Sequence, residues 1–153
     1  GGSLKNSSEE KFFIKTINKF SKIIKKNRVK LIFESDYNPR KLNKFILKFN
    51  KNLFGINYDI GNSASLNYDI KEEFSFYSKR IFNVHIKDRI KHGKTVRLGH
   101  GNANLKELFK KLKNIKYKGN LILQTARSKN NKDIEEIEIN LKYLNELRKE
   151  INA

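Results

Sequence analysis

The stretch "LFGINYDIGNSA", residues 53–64, is the part of the sequence that decides how the fold is predicted. Its first half is mostly apolar, which is typical of a strand buried inside a sheet, and the run then ends on the carboxylate of Asp59. Three other apolar runs in the chain also end on polar side chains, at Glu34, His85 and Gln124. A common arrangement of the four runs would explain all four endings.

Short apolar runs alternate with amphipathic stretches along the whole chain, and no linker or low-complexity segment divides it. We predict four strands, namely "VKLIFESD" (29–36), "LFGINYD" (53–59), "RIFNVHIKD" (80–88) and "NLILQTAR" (120–127). The run from Val29 to Phe33 is expected to be buried on both faces of the sheet. The predicted order is one helix followed by four βα units, forming a single domain over residues 1–153.

Capping side chains indicate where the helices begin. Ser7 and Glu10 have the spacing of a capping box, and the first helix then shows an amphipathic stripe of Phe13, Ile17, Phe20 and Ile24. Further helices are predicted to begin at Asn38, near Asp69, at Asn104 and near Asp133.

Strands that alternate with helices predict a parallel sheet with right-handed crossovers. In such sheets ligands bind beyond the carboxyl ends of the strands. Glu34, Asp59, His85 and Gln124 stand at those ends, so we expect them to converge on one rim. Each acidic residue taken alone could equally be a turn or helix-cap residue, and His85 alone could be a structural histidine. Their shared position makes them candidates for a site.

The composition limits the classes of function. The net charge of +18 favours an acidic partner, but the lysines are spread along nearly every predicted helix instead of forming a patch. We therefore interpret them as solvated helix faces, and no row of aromatic and basic residues suits base stacking. The absence of Cys excludes disulfides and thiolate metal sites. No apolar run has the length of a membrane span, so we expect a cytoplasmic protein without membrane contact.

Five short motifs together resemble a known family. They are "FESD", "YDIGN", "VHIKDR", "LGHGNANL" and "YKGNLILQTAR", in that order, over about residues 28–145. They resemble the second half of the xylose-isomerase-like barrels, the sugar phosphate isomerase and epimerase superfamily that also includes endonuclease IV. The resemblance implies an α/β fold whose four consecutive βα units are equivalent to the C-terminal half of a (β/α)8 barrel, preceded by one helix.

The resemblance also implies a site at the strand ends. Members hold a divalent metal there with carboxylates and histidine, and the matching residues in this chain are Glu34, Asp59, His85 and Gln124. Asn62 stands three residues after the aspartate, where some members have a histidine. The residues expected to contact substrate are Asn62, Lys87, Asp88, Arg89 and Arg127.

The chemistry expected of this site is proton transfer on a sugar. Oxygen and imidazole ligands suit Mn²⁺, Mg²⁺, Co²⁺ or Zn²⁺, which would polarise the sugar carbonyl while Glu34 removes a proton to give an enediolate. Gln124 departs from the family's glutamate and cannot be the second base of an epimerase. It also lowers the ligand charge, so metal binding is expected to be weak or absent. A one-base isomerase and a non-catalytic sugar site both stay open.

Four βα units are half of a barrel, which takes about 250 residues. The unpaired edges call for a missing N-terminal half-barrel, a second copy in a homodimer, or a rearranged flavodoxin-like layer. The chain has no Met and opens on Gly1, Gly2 and Ser3, so residues 1–3 are interpreted as a scar or linker. We predict the C-terminal half of a sugar or sugar-phosphate isomerase/epimerase that acts once the barrel is assembled. The alternatives are a non-catalytic self-assembling fragment and a basic nucleic-acid-binding relative of endonuclease IV.

Overall fold

The structure, a computed structural model, describes residues 2–128 and 130–152. The helices are α1 (Ser7–Lys19), α2 (Ser21–Lys26), α3 (Pro39–Ile46), α4 (Ile60–Ser65), α5 (Ile70–Tyr77), α6 (Leu105–Asn114) and α7 (Asp133–Asn152). The strands are β1 (Leu31–Phe33), β2 (Phe54–Asp59), β3 (Ile81–Ile86), β4 (Asp88–Arg89), β5 (Thr95–Val96) and β6 (Asn120–Leu123). None of the described helices has the length and apolarity needed to cross a membrane.

Four strands form one parallel sheet in the order β1-β2-β3-β6, and β4 and β5 form a separate antiparallel hairpin. Each connection between parallel strands contains at least one helix, as such crossovers require. The predicted α/β architecture, four βα units of a partial (β/α)8 barrel, is therefore confirmed. The register sets Asp59 beside His85 and Asn57 beside Asn83, so polar side chains of β2 and β3 stand side by side.

An aromatic core fills the face of the sheet that the helices cover. The ring of Phe33 lies with its centroid between 4.9 and 6.1 Å from those of Phe13, Phe45, Phe49 and Phe54. All six residues of β2 are buried. Side chains alternate along a strand, so the residues of β2 that face away from the helices, including Asn57 and Asp59, are buried too. They must therefore find polar partners.

The N-terminal helix differs from the prediction in two respects. It is broken into α1 and α2 at Phe20, which is 47% exposed, and only Ile24 of the expected stripe is buried. The cap is Asn6, whose side chain accepts the N–H of Glu9 at 2.9 Å. The predicted capping box of Ser7 and Glu10 does not form because Ser7 is already the first helical residue, and the carboxylate of Glu10 pairs with Lys48 at 2.7 Å instead.

The first strand is shorter and more exposed than predicted. It begins at Leu31 instead of Val29, and Val29 and Ile32 are 53% and 38% exposed. The reason is its place at an edge of the described sheet, where its neighbouring strand is β2. The elements that were not predicted include helix α4, which follows β2 directly, the short 3-10 helix Ser78–Arg80, and the β4-β5 hairpin, whose two-residue strands are too short to show a periodicity.

Candidate functional site

Three of the four strand-end residues meet at the carboxyl ends of the parallel strands. Glu34 follows β1, Asp59 ends β2 and His85 stands near the end of β3, and one possible ligand atom from each lies within 4.8 Å of the others. The Nδ1 atom of His85 is 3.5 Å from Oε2 of Glu34 and 3.7 Å from Oδ2 of Asp59. Two carboxylates and an imidazole at this spacing are a donor set that fits a divalent cation.

The two oxygens of Asp59 face different groups. Oδ1 accepts the N–H of Asn62 at 2.8 Å, which makes Asp59 the N-cap of α4. Oδ2 faces His85 and lies 3.3 Å from the ammonium of Lys87. The buried strand therefore ends on a carboxylate for two reasons. One oxygen caps helix α4, and the other belongs to the candidate site.

Two amide groups hold the carboxylate of Glu34. The side-chain nitrogen of Asn57 donates to Oε2 at 2.7 Å, and that of Asn62 donates to Oε1 at 2.9 Å. Hydrogen bonds to an ionised group contribute about 1.5–3 kcal/mol each. The donors belong to β2 and α4. They therefore fix Glu34, which follows the edge strand β1, relative to the centre of the sheet.

Asn57 and Asn83 are site residues that the sequence analysis missed. The Asn57 nitrogen also lies 3.2 Å from both ring nitrogens of His85, and its oxygen accepts the side-chain N–H of Asn83 at 2.7 Å. A signal was available in the sequence. Both asparagines stand two residues before a candidate ligand in otherwise mostly apolar strands, and therefore on the same face of the sheet as that ligand.

Two cationic side chains and Asn62 lie beside the cluster. The oxygen of Asn62 accepts a hydrogen bond from Arg89 at 2.8 Å and one from Lys87 at 3.4 Å. Arg89 also donates to the carbonyl of Gly93 at 2.8 and 3.1 Å, which fixes the guanidinium. The structure thus brings Asn62, Lys87 and Arg89, three of the residues expected to contact substrate, together with Glu34 and Asp59.

Gly61 makes room for the side chain of Lys87. A Cβ atom at position 61 would lie 2.8 Å from Cγ of Lys87 and 3.0 Å from its Cβ, which is closer than such atoms approach. The missing side chain therefore lets the lysine stem pass α4 and reach Asp59.

Asp88 has a different place from the one expected. It is fully buried, and its carboxylate accepts the backbone N–H groups of Gly99, Gly101 and Ala103 at 3.0, 2.8 and 2.9 Å. A Cβ atom at Gly101 would overlap the Asp88 carboxylate. Asp88 thus organises the loop between β5 and α6, and we leave it out of the proposed substrate contacts because it is fully buried and three backbone N–H groups occupy its carboxylate.

The two remaining predicted residues lie at and after the end of β6. The backbone N–H of Gln124 donates to the carbonyl of Ile86 at 2.9 Å, which extends the β3-β6 pairing to the rim, and Gln124 is half-buried. Arg127 pairs with Asp133 at the start of α7 at 2.9 Å, and its side chain is 92% exposed. It lines a surface groove together with Lys94, Arg97 and His100.

A buried acid, Glu73 of α5, holds α4 through a hydrogen bond from Ser63. Its carboxylate accepts hydrogen bonds from the hydroxyls of Tyr58, Ser63 and Tyr77, at 2.7, 2.5 and 2.8 Å. Burial raises the pKa of the Glu73 carboxyl, although the three hydroxyls act in the opposite direction. Glu73, Glu34 and Asp59 all line one cavity of about 30 Å³, enough for one water molecule.

Solved structures share this fold. A xylose isomerase domain protein from Planctomyces limnophilus has a TM-score of 0.81 and 20% identity, with 99% of this chain and 60% of that chain covered. A sugar phosphate isomerase/epimerase from Parabacteroides distasonis has a TM-score of 0.74 and 18% identity, covering 93% and 56%. A D-tagatose 3-epimerase-like protein has a TM-score of 0.68 and 21% identity, covering 94% and 57%. The chain thus spans less than two thirds of each of these structures.

Comparison with curated proteins gave no significant match. A sequence profile of the xylose isomerase-like TIM barrels, in contrast, matches residues 1–147, which is nearly the whole chain. The parallel sheet of four consecutive βα units is the arrangement expected of part of such a barrel. The resemblance seen in the sequence is confirmed, and the chain belongs to the xylose isomerase-like TIM barrel family.

Proposed function

We propose that this chain carries the metal-binding and proton-transferring half of a sugar or sugar-phosphate isomerase. The observation that supports the proposal is the meeting of Glu34, Asp59 and His85 within 4.8 Å of one another. From the segment after β3, Lys87 contacts Asp59, and Arg89 donates to Asn62 beside the cluster. The activity would need a complete barrel, closed by a further half-barrel or by a second copy of the chain, and we propose a cytoplasmic location.

The residues that would hold a divalent cation are Glu34, Asp59 and His85, with the amide oxygen of Gln124 as a fourth donor. A bound Mn²⁺, Mg²⁺, Co²⁺ or Zn²⁺ would polarise a carbonyl oxygen of the sugar. The charge of the donor set is −2 with both carboxylates ionised and His85 neutral. Lys87 lies 3.3 Å from Asp59 and offsets part of that charge, so we propose a weaker site than one with three carboxylates.

The proposed base is Glu34, which would remove the proton from the hydroxyl-bearing carbon next to the carbonyl and deliver it to the former carbonyl carbon, while the hydroxyl proton passes to the former carbonyl oxygen. The amides of Asn57 and Asn62 keep its carboxylate in one orientation. Arg89, Lys87 and, from the segment after β6, Arg127 would bind the hydroxyls or phosphate of the substrate. Gln124 cannot exchange a proton near neutral pH, so one base serves both carbons, which favours an aldose–ketose isomerase over a two-base epimerase.

Solvent deuterium exchange tests this role of Glu34. We expect an assembled barrel to incorporate deuterium into one sugar or sugar phosphate of a panel, as seen by NMR, and we expect Glu34→Gln to abolish exchange. Gln124→Glu, which adds a negative charge to the proposed ligands where Glu34→Gln removes one, should tighten metal binding. Exchange that persists in Glu34→Gln would remove Glu34 from the role of base, and an assembled parent that exchanges no substrate would favour a non-catalytic sugar site.

A further inference from the structure

Asn57 contacts two of the three candidate ligands at once. Its nitrogen donates to Glu34 at 2.7 Å and lies 3.2 Å from both ring nitrogens of His85. The residue is 8% exposed. Buried amides are costly without partners, and this one has partners on three sides, because its oxygen accepts from Asn83 at 2.7 Å.

These partners allow one orientation of the Asn57 amide. An ionised carboxylate only accepts hydrogen bonds, so the nitrogen must face Glu34, and the oxygen then takes the N–H of Asn83. Asn83 stands directly beside Asn57 in the register of β2 and β3. The amides form a chain of hydrogen bonds in which Asn83 on β3 donates to Asn57 on β2, and Asn57 donates to Glu34 after β1. Hydrogen bonds in such a chain polarise and strengthen one another.

The equal distances to His85 show how the ring is held. A group on the lone pair of one ring nitrogen would be much closer to that nitrogen than to the other. The Asn57 nitrogen is equidistant from both, so it lies over the ring instead of in its plane. The contact therefore does not use the in-plane hydrogen-bonding position of either ring nitrogen. Nδ1 still faces the carboxylates of Glu34 and Asp59.

We propose that Asn57, oriented by Asn83, is a positioning residue that fixes Glu34 and His85 for cation binding. The inference rests on the proposed metal site. An amide is needed because one group must both donate to Glu34 and accept from Asn83. Leucine, of nearly the same shape, would remove the hydrogen bond to Glu34 and the acceptor of Asn83, whereas aspartate would place a second carboxylate against Glu34.

The test is a titration of the 153-residue chain with Co²⁺ alone, followed by visible absorption, which reports ligand geometry independently of any activity. Loss of a side chain that orients metal ligands typically weakens binding by about 10–100-fold. We expect Asn57→Leu to fall in that range with altered absorption bands, and Asn83→Leu to show a smaller loss. Asn57→Ser, too short to reach Glu34, should behave like Asn57→Leu and replaces it if the leucine variant does not fold.

The matched control is Asn120→Leu, which stands beside Asn83 on β6 but is exposed at the sheet edge. Its Co²⁺ affinity and spectrum should equal those of the parent chain. Parent-like affinity and bands in Asn57→Leu, or an equal loss in Asn120→Leu, would overturn the role of Asn57 while leaving the metal site standing. A parent chain that binds no Co²⁺ would overturn the metal site itself, and this inference with it.

Discussion

Asp59 is both a helix cap and a residue of the candidate site. It can have both roles because its two oxygens face different groups. The positions of Glu34, Asp59 and His85 could be predicted because the carboxyl ends of parallel strands share a rim. The place of Asp88 could not be predicted, since its partners are backbone groups more than ten residues away. Sequence patterns indicate which face a side chain takes, but not which backbone groups fold against it.

Replacing Lys87 by Met should strengthen cation binding. The change removes a positive charge 3.3 Å from Asp59 and keeps the apolar stem that passes Gly61. At a partly exposed site such a charge is worth about 1 kcal/mol, or roughly fivefold in affinity. Co²⁺ titration of the chain measures the effect.

The control for Lys87→Met is Lys106→Met, which removes an equal charge from an exposed ion pair with Glu150. It should leave the affinity unchanged. Cation binding that is equal or weaker in Lys87→Met would show that the ammonium does not oppose the cation.

Among the elements, the helix starts at Asn38, Asp69 and Asn104 could be predicted because a side-chain cap is local chemistry, and all three side chains accept a backbone N–H as expected. The break at Phe20 and the exposure of β1 could not, because they depend on packing between segments. Helix α4 escaped prediction since its cap, Asp59, also reads as the last residue of a strand.

The loop between β5 and α6 should depend on Asp88. In Asp88→Asn one carboxylate oxygen becomes an N–H donor, which faces backbone donors instead of accepting from them. A buried donor without an acceptor costs about 1–3 kcal/mol, so urea unfolding should show a loss of at least that size. Asp36→Asn, in the segment between β1 and α3 where Asp36 is half-buried, is the comparison, and equal stability of the two variants would contradict the role of Asp88.

Glu73 should make the stability depend on pH. Burial raises its pKa in the folded chain above the ordinary value of 4.5, so the folded state holds this proton more tightly than the unfolded state. The resulting stabilisation is present below the ordinary pKa and is lost as the pH rises through the raised one. In Glu73→Gln, which has no proton to lose, urea unfolding should show a smaller fall in stability with rising pH.

Glu72→Gln is the control, because Glu72 neighbours Glu73 in α5 and pairs with Arg40 at the surface. Its pH profile should follow that of the parent chain. If the profile of Glu73→Gln does so as well, the buried carboxyl does not titrate in the folded protein as argued.

At the scale of the whole molecule, the described sheet has two edges, β1 and β6, that pair on one side alone. Leu121 and Ile122 of β6 are 46% and 43% exposed, and Ile32 of β1 is 38% exposed. Apolar side chains along an unpaired strand favour association with another strand. The half-barrel character could be predicted by counting βα units, whereas the partner that closes it could not, because closure depends on contacts between chains that no periodicity encodes.

We expect the chain to self-associate in solution when no other half-barrel is present. Light scattering should show a dimer, and Leu121→Lys should shift the mass toward the monomer by placing a charge on the β6 edge. Leu47→Lys, at a position 66% exposed beyond the end of α3, should leave the dimer intact. A well-dispersed monomeric parent would contradict closure by a second copy.

The clustering of Glu34, Asp59 and His85 on three consecutive parallel strands has a consequence for how such proteins diversify. The groups proposed to perform the chemistry are inherited together, while the other half of a closed barrel would shape the space in which the substrate lies. The two halves can then change at different rates, and recombination can exchange one without disturbing the other. Chimaeras of this chain with N-terminal halves of different relatives should therefore select different sugars while keeping the same cation affinity.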